Sequence, residues 1–310
     1  ASDPLNLINN AEMALRIAKR QGGGAAKTYA PGMEAHAPAD AVALEADLRR
    51  ALEDGAIEVF YQPIVRLSDR SVAGFEALLR WHHPDRGLLS PEDFISHSEA
   101  TGLIVALGRL ALRNATAHLA EWQRFFPLAE ALFVSVNLSR RQLFDSELED
   151  DLKEAIAKSG IKPGSLVLEV TESAVAAPDG LVERFARLRD IGARLAIDDF
   201  GTGLSNLSQL GEIPFDTVKI DKCFLKHRDQ DGDTLLSSMI SLAKELNRRV
   251  VVEGVEREED AVRLKAMDCE LAQGYLFSEP MPAREALQFI ARTFRPEDAP
   301  SGAPGGSGEA

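Results

Sequence analysis

A chain of 310 residues is long enough for one large domain or two of ordinary size. Its net charge of −14 argues against a basic surface that binds a nucleic-acid polymer or an anionic membrane. Cys223 and Cys269 provide neither a disulfide framework nor metal-ligand spacing, which is typical of a reducing compartment. The apolar runs are shorter than the roughly 18 residues of a membrane span, and Asp3, Pro4 and Asn6 stand where a signal peptide is basic. We therefore expect a cytoplasmic segment without membrane contact.

The two ends of the chain differ in composition from its centre. Apolar residues at helical spacing predict a helix over 5–19, and 27–29 resembles a short strand. Proline and glycine at 31–38 indicate a linker. The last residues carry little apolar content and are predicted to form a disordered tail. The predicted organisation is a helix-and-strand fragment, a linker, one large domain and a tail: 1–32, 33–43, 44–294 and 295–310.

The large domain alternates between predicted helices and strands. The helices are predicted at 44–53, 104–122, 147–158, 182–190, 234–246, 261–267 and 283–291. The strands are predicted at 57–61, 72–79, 132–136, 166–170, 195–197, 217–220, 250–252 and 271–277. Too few residues separate the first two strands for a parallel crossover, so we expect them to form an antiparallel hairpin. The pattern predicts a TIM-type (β/α)8 barrel, an α/β fold, with the first strand antiparallel. An open doubly wound sheet is the alternative, although the sequence has no GxGxxG phosphate fingerprint to favour it.

Polar side chains collect in or just after the predicted strands. Two adjacent carboxylates, Asp198 and Asp199, end an apolar strand, which is costly unless a cation lies there. The glycines of 201–203 allow the turn that two neighbouring side chains need to face the same way. Taken alone, each group has an ordinary explanation, such as a solvated turn or a helix cap. Because the carboxyl ends of barrel strands share one rim, the whole set predicts an active site. Its members are Glu76, Asn137, Glu169, Asp198, Asp199, Lys219, Asp221, Glu253 and Gln273.

The chemistry of this set favours Mg²⁺ or Mn²⁺ over Zn²⁺, because the ligands are oxygen donors without histidine or cysteine. One aspartate that bridges two cations is the arrangement of two-metal phosphoryl chemistry. Lys219 is suited to hold or polarise a water, and Glu253 to complete the second metal site or accept a proton. The residues alone predict a two-metal barrel hydrolase of a phosphate ester.

A series of short motifs follows in order through 44–290. They are FYQPI (60–64), EALLRW (76–81), VNLS (136–139), LEVTES (168–173), DDFGTG (198–203), KID (219–221), EGVE (253–256), QGYLF (273–277) and the region of Pro280. Together they resemble the EAL family, bacterial phosphodiesterases that open cyclic di-GMP to the linear dinucleotide pGpG. The resemblance implies a β/α barrel with one antiparallel strand.

It also implies hydrolysis by two-metal, in-line attack of a metal-bound water or hydroxide on cyclic di-GMP. The implied cofactors are two Mg²⁺ or Mn²⁺ ions, with Ca²⁺ inhibiting. The implied ligands of the first metal are Glu76, Asn137, Glu169 and Asp198, and those of the second are Asp198, Asp199 and Glu253. The implied catalytic residues are Lys219, which orients the water, Glu253 and Asp199. The positions that match substrate-binding or site-supporting ones are Gln62, Leu79, Arg80, Asp221, Gln273 and Pro280.

The loop after Asp199 couples dimerisation to catalysis in this family, so a homodimer through the barrel is expected. Glu172 and Glu256 resemble the residues that brace this loop, whereas Leu204 departs from the tyrosine that often follows the GTG. Residues 10–29 resemble the last helix and strand of a GGDEF domain, which predicts an upstream GGDEF-like partner in a longer protein. Attachment of the longer protein to a membrane, through segments outside this chain, is compatible with this expectation.

Two other functions remain open. A cyclic di-GMP receptor that binds without cutting is the main alternative, but such receptors typically lack an acidic ligand or the lysine. An enolase-like barrel also uses carboxylates and a lysine on successive strands. It needs only one metal site and no adjacent aspartate pair, so Asp198 and Asp199 argue against it.

Overall fold

The computed structural model describes residues 28, 37–126, 132–175, 180–203, 213–226 and 229–293. The predicted helix over 5–19, Leu204 and the predicted tail lie outside the described residues, as does the predicted strand at 27–29 apart from Thr28. Contacts divide the chain into two units, 1–54 and 55–310.

The described part of the first unit is helix α1 (Ala37–Glu53). Leu44, Leu48 and Ala51 are buried at helical spacing, and Arg49 pairs with Glu45 one turn away at 2.8 Å. The helix begins earlier than the predicted residue 44.

The second unit contains an eight-stranded closed barrel with two short added strands. The strands are β1 (Ile57–Arg66), β2 (Val72–His83), β3 (Gly87–Leu89), β4 (Phe133–Asn137), β5 (Leu166–Thr171), β6 (Arg194–Phe200), β7 (Thr217–Ile220), β8 (Arg249–Val252), β9 (Leu271–Gln273) and β10 (Met281–Pro282). The ring runs β1-β2-β4-β5-β6-β7-β8-β9 and closes on β1, while β3 extends β2 and β10 extends β1. Strand β1 is antiparallel to both of its barrel neighbours, and the other neighbours in the ring are parallel. The predicted barrel with an antiparallel first strand is confirmed.

Helices connect the barrel strands. They are α2 (Pro91–Thr101), α3 (Ile104–Phe125), α4 (Arg140–Leu143), α5 (Leu148–Ser159), α6 (Glu172–Val175), α7 (Leu181–Asp190), α8 (Cys223–Lys226), α9 (Gln230–Glu245), α10 (Glu258–Ala266) and α11 (Ala283–Thr293). The longer predicted helices lie within a few residues of these bounds. Within the described residues, no helix combines the length and the apolar character that a membrane crossing requires.

Several elements differ from the sequence-based expectation, since β1 extends to Arg66, β2 to His83 and β6 to Phe200, beyond their predicted ends. Helix α2 was not predicted, because only Phe94 and Ser98 are buried along it and its apolar periodicity is weak. Strand β9 ends at Gln273 rather than continuing to residue 277. At Gly274 the backbone passes so close to Val255 that an added Cβ would lie 2.1 Å from the Val255 carbonyl oxygen. The chain therefore leaves the sheet at this glycine.

An apolar layer supports the polar residues inside the barrel. This floor consists of Ile64, Ala73, Phe133, Val167, Ala196, Val251 and Leu271, all buried. Val167 and Ala196 each stand two residues before a predicted site residue on the same strand, and Val251 stands two residues before Glu253, which directly follows β8. Because side chains alternate along a strand, the floor residues and the site residues share the inner face. At Gly74, an added Cβ would lie 2.7 Å from the Phe133 ring, so the missing side chain makes room for that ring.

Candidate active site

The site is built around the ammonium group of Lys219, on β7. The side chain is only 1% exposed, and its Nζ reaches four carboxylates, which lie on β2, β5 and β6 and just after β8. The distances from Nζ are 2.6 Å to Glu253 Oε1, 2.7 Å to Glu169 Oε2, 3.2 Å to Glu76 Oε2 and 3.5 Å to Asp198 Oδ1. The structure thus brings these predicted residues together inside the barrel, with Glu76 part-way along β2 and the others at or near the carboxyl ends of their strands.

Glu76 is held by amide side chains as well as by the lysine. Asn137 Nδ2 donates to Glu76 Oε1 at 2.7 Å, and Gln273 Nε2 donates to Glu76 Oε2 at 2.6 Å. Gln273 Nε2 also lies 2.9 Å from Gln62 Oε1, and Gln62 Nε2 donates to the Ser278 carbonyl at 3.2 Å. Because Asn137 uses its amide nitrogen on Glu76, its carbonyl oxygen is left to act as a ligand.

Asp199 adopts a left-handed backbone conformation, with φ of 54°. The register of β6 with β7 is interrupted between Ile197 and Phe200, so the chain departs from regular strand geometry at the aspartate pair. Thr202 closes the turn, since its N and Oγ1 donate to the Asp199 carbonyl at 3.1 and 2.7 Å. A turn directly after the two adjacent carboxylates is what the sequence predicted. Aspartate tolerates the conformation better than most residues.

Glu172, at the start of α6, braces the loop that follows Asp199. Its side chain is buried, and its Oε2 accepts hydrogen bonds from Gly201 N at 2.8 Å and Gly203 N at 3.3 Å. Glu256 is exposed and makes no hydrogen bond or ion pair within the described part of the chain. The bracing role of Glu256 therefore stays a prediction.

Replacing Glu172 by glutamine is expected to lower kcat about tenfold, because the hydrogen bonds to a charged acceptor are worth about 1.5–3 kcal/mol each and set the loop beside Asp199. Steady-state kinetics measure the effect, with exposed Glu245→Gln as the matched control. An unchanged kcat in Glu172→Gln would contradict the bracing role.

The predicted substrate-binding residues lie at several places on the barrel. Arg80 is half-buried, with its guanidinium carbon 5.7 Å from the Phe60 ring centroid. Asp221 follows β7, and its Oδ1 accepts from Cys223 N at 2.9 Å. Leu79 is buried on β2 and Pro280 precedes β10. Their contacts with a substrate stay predictions.

Sequence reasoning did not single out Ser135 or Tyr275. Ser135 stands opposite Glu76 in the β2–β4 register, and its buried hydroxyl has no hydrogen-bond partner within the described residues. A serine inside a strand gives no sequence signal of its own. Tyr275 is 62% exposed and close enough to Arg80 to influence the pKa of that guanidinium. It lies in the QGYLF motif, which was the available signal.

The carboxylates and the lysine shift each other's pKa values. Burial alone would lower the pKa of Lys219, but Asp198, Glu169 and the other carboxylates raise it well above its ordinary value. Burial raises the pKa of Glu169 well above its usual range, against the opposing charge of Lys219. Burial raises the pKa of Glu253 to about 7. The surrounding carboxylates therefore keep the lysine protonated.

Glu76 and Asp199 shift in opposite directions. Burial would raise the pKa of Glu76, but the charge of Lys219 and the hydrogen bonds from Gln273 and Asn137 lower it below its ordinary value. Burial, together with the charge of Asp198, raises the pKa of Asp199.

The donor set fits a divalent cation. Four carboxylates surround one ammonium group, so the site holds an excess of negative charge. Asp198 Oδ1 is buried and accepts no hydrogen bond from the described residues. The ammonium group of Lys219 lies among the carboxylates. Within the described residues, no three aspartate, glutamate, histidine or cysteine side chains are already arranged as a metal site. Oxygen donors with unmatched negative charge are suited to hard cations such as Mg²⁺.

Comparisons with known proteins identify the relatives of this chain. The profile of the EAL domain matches residues 45–280. Cyclic di-GMP phosphodiesterase NbdA of Pseudomonas aeruginosa is 38% identical over 302 residues, which cover 95% of this chain and 37% of NbdA. Cyclic di-GMP phosphodiesterase PdeR of Escherichia coli is 35% identical over 288 residues, which cover 91% of this chain and 42% of PdeR. The chain spans about a third of the length of the curated relatives it matches.

Solved structures give the same result. The PaMucR phosphodiesterase in complex with c-di-GMP superposes with a TM-score of 0.74 at 36% identity, covering 78% of this chain and 99% of that one. The EAL enzyme Bd1971, bound to cAMP and cyclic di-GMP, superposes with a TM-score of 0.78 at 30% identity, covering 94% of this chain and 76% of that one.

Proposed function

This chain belongs to the EAL domain family, and we propose that it hydrolyses cyclic di-GMP to linear pGpG. The observation that carries the proposal is the set of four carboxylates around Lys219 Nζ, at 2.6 to 3.5 Å, with Asp199 directly following one of them. A receptor that only binds the nucleotide does not need this costly arrangement of buried charge. Relatives named cyclic di-GMP phosphodiesterases support the assignment.

Phosphodiesterases of this family depend on divalent metal ions. We assign two Mg²⁺ or Mn²⁺ ions to this site. The first would be held by Glu76, Asn137, Glu169 and Asp198, and the second by Asp198, Asp199 and Glu253. When bound, the two ions supply Lewis acidity, which acidifies water and offsets charge on the phosphodiester.

The residues of the chain perform the remaining tasks. Lys219 stays protonated because the surrounding carboxylates raise its pKa, so it donates hydrogen bonds and orients the attacking water rather than removing its proton. Glu253 has a second carboxylate oxygen besides the one that would bind the metal, so it is suited to accept the proton that the water gives up. The water oxygen bonds to phosphorus, the bond from phosphorus to the 3′ oxygen breaks, and that oxygen takes a proton. The product keeps a 5′ phosphate, as pGpG requires.

Replacing Arg80 by alanine is expected to raise KM about tenfold while kcat changes less than about twofold, because a guanidinium binds phosphate in the ground state and the transition state alike. The control is Arg292→Ala, an exposed arginine at the end of α11. An Arg80→Ala enzyme with the KM of the wild type would refute the phosphate role.

The decisive experiment incubates the purified chain with cyclic di-GMP and Mg²⁺, with and without EDTA, and separates the nucleotides by ion exchange. Metal-dependent appearance of pGpG supports the proposal. Ca²⁺ in place of Mg²⁺ is expected to support binding with poor turnover, because its coordination is looser and more variable. Intact nucleotide that stays bound to the chain would favour the receptor, and neither cleavage nor binding would overturn both.

We further propose the domain limits 44–294, an upstream GGDEF-like partner in a longer protein, and a homodimer through the barrel. The loop that is expected to couple dimerisation to catalysis continues into residues 204–212, outside the described part of the chain. Sedimentation at several protein concentrations, with and without cyclic di-GMP, tests the dimer.

A further inference from the structure

Gly108 lies in the second turn of helix α3, inside the helix, where glycine costs about 1 kcal/mol relative to alanine. Its backbone is helical and does not need the freedom of glycine. An added Cβ would lie 1.6 Å from Nε2 of Gln142 and 2.8 Å from its Cδ. The missing side chain at 108 therefore makes the space that the Gln142 side chain occupies.

Gln142 belongs to the one-turn helix α4 and is 6% exposed. Its Oε1 accepts a hydrogen bond from Ser139 N at 3.0 Å, while Gln142 N donates to Ser139 Oγ at 3.3 Å. This reciprocal pair is a capping box, which satisfies two backbone N–H groups at the start of a helix. The side chain thus fixes the backbone two residues after Asn137.

Asn137 depends on that backbone for its position. Its side chain is exposed, and its described hydrogen bond goes to Glu76. The next residue is anchored to β5, since Leu138 N donates to the Glu169 carbonyl at 2.8 Å. The residue after that, Ser139, is held by the capping box. Because packing does not confine the asparagine, these backbone anchors set where its carbonyl oxygen lies.

The packing around Gln142 is incomplete. A cavity of about 20 Å³ borders Gly108, Asn137 and Gln142. That is room for about one water, so the side chain does not fill the space between the helices completely.

We propose that Gln142, seated against Gly108, is a positioning residue that sets the affinity of the first metal site through the backbone that follows Asn137. The inference rests on the proposed function, since it assumes that Asn137 is a metal ligand. Loss of a group that orients a metal ligand typically costs 10–100-fold in affinity, and we expect about tenfold here because the action is indirect.

The test titrates Mn²⁺ into EDTA-stripped protein and follows free Mn²⁺ by electron paramagnetic resonance. Gln142→Ala and Gly108→Ala are each expected to weaken Mn²⁺ binding at the first metal site about tenfold, because the first removes and the second displaces the side chain that accepts the hydrogen bond from Ser139 N. Gln142→Glu keeps an acceptor in the capping box and is expected to bind within about twofold of the wild type. Circular dichroism and thermal unfolding without metal verify that each variant is folded.

The double variant Gly108→Ala/Gln142→Ala separates capping from packing. Its new methyl group occupies part of the space that the glutamine leaves, so a packing role predicts restored Mn²⁺ affinity. A positioning role predicts an affinity no better than that of the single variants. Ser139→Ala, which removes the reciprocal hydrogen bond, is the second probe if Gln142→Ala does not fold, and it is expected to weaken binding by a smaller factor.

Each outcome has a distinct meaning. A wild-type chain that binds no Mn²⁺ overturns the proposed metal chemistry. A wild type that binds Mn²⁺, together with a folded Gln142→Ala or Ser139→Ala variant of equal affinity, overturns the positioning role alone. Restored affinity in the double variant also overturns it.

Discussion

Replacing Lys219 by methionine is expected to lower kcat about a thousandfold, which is the scale of losing a preorganised hydrogen-bond donor in an active site. The same change is expected to destabilise the metal-free protein by about 3 to 5 kcal/mol, because it leaves buried carboxylates without their cation. Lys219 is 1% exposed and methionine has a similar length, so packing is largely preserved. Denaturant unfolding in EDTA and steady-state kinetics in Mg²⁺ measure the two effects.

Metal and pH separate the two roles of this lysine. Divalent cations are expected to recover much of the lost stability by replacing the missing positive charge, but not the turnover. Burial raises the pKa of Glu253 from its ordinary 4.5 to about 7 even with the lysine present. Because the charge of Lys219 lowers this pKa, replacing the lysine raises it further. An acid with a raised folded-state pKa contributes stability at low pH that is lost as the pH rises. The stability deficit of Lys219→Met in EDTA should therefore grow from pH 6 to pH 8.5, and an equal deficit at both pH values would contradict the ion cluster.

Replacing Asp199 by asparagine is expected to lower kcat about a thousandfold, or about 4 kcal/mol of transition-state stabilisation, with little change in the affinity for cyclic di-GMP. Asparagine has the same shape and tolerates the left-handed backbone, with φ of 54°, that Asp199 adopts. The substitution thus removes the charge and keeps the turn. Kinetics in Mg²⁺ and nucleotide binding in Ca²⁺ measure the two quantities separately.

Asp199→Ala is the matched comparison, because alanine removes the charge and also disfavours the left-handed conformation. It is expected to lose as much turnover as Asp199→Asn and additional stability. A wild-type kcat in Asp199→Asn would show that the second metal site is assigned to the wrong residue.

The barrel could be predicted because its strands are short apolar runs between helices of clear periodicity. The short loop between the first two strands forced the hairpin, since no parallel crossover fits there. Helix α2 escaped prediction because few of its side chains are buried, although Ser90, Pro91 and Asp93 form a recognisable start signal. The extent of β9 depends on the approach of Gly274 to Val255, a contact that sequence periodicity does not encode.

The membership of the site was easier to predict than its geometry. Residues at strand ends meet because a barrel gathers those ends, so Glu169, Asp198 and Glu253 could be assigned to one site from the order of the strands alone. The position of Lys219 within reach of four carboxylates depends on the depth of its side chain in the barrel, which spacing does not give. The contact of Gly108 with Gln142 joins two helices and has no local signal at all.

The apolar floor of the barrel has a consequence for how such proteins diverge. Val167, Ala196 and Val251 each precede an acidic residue by two positions on the same inner face. A methyl group gained or lost there shifts the charged layer above it without altering any polar side chain, since packed interiors transmit changes of even one methylene. Two homologues with identical motifs can therefore differ in turnover because of residues that carry no chemistry themselves.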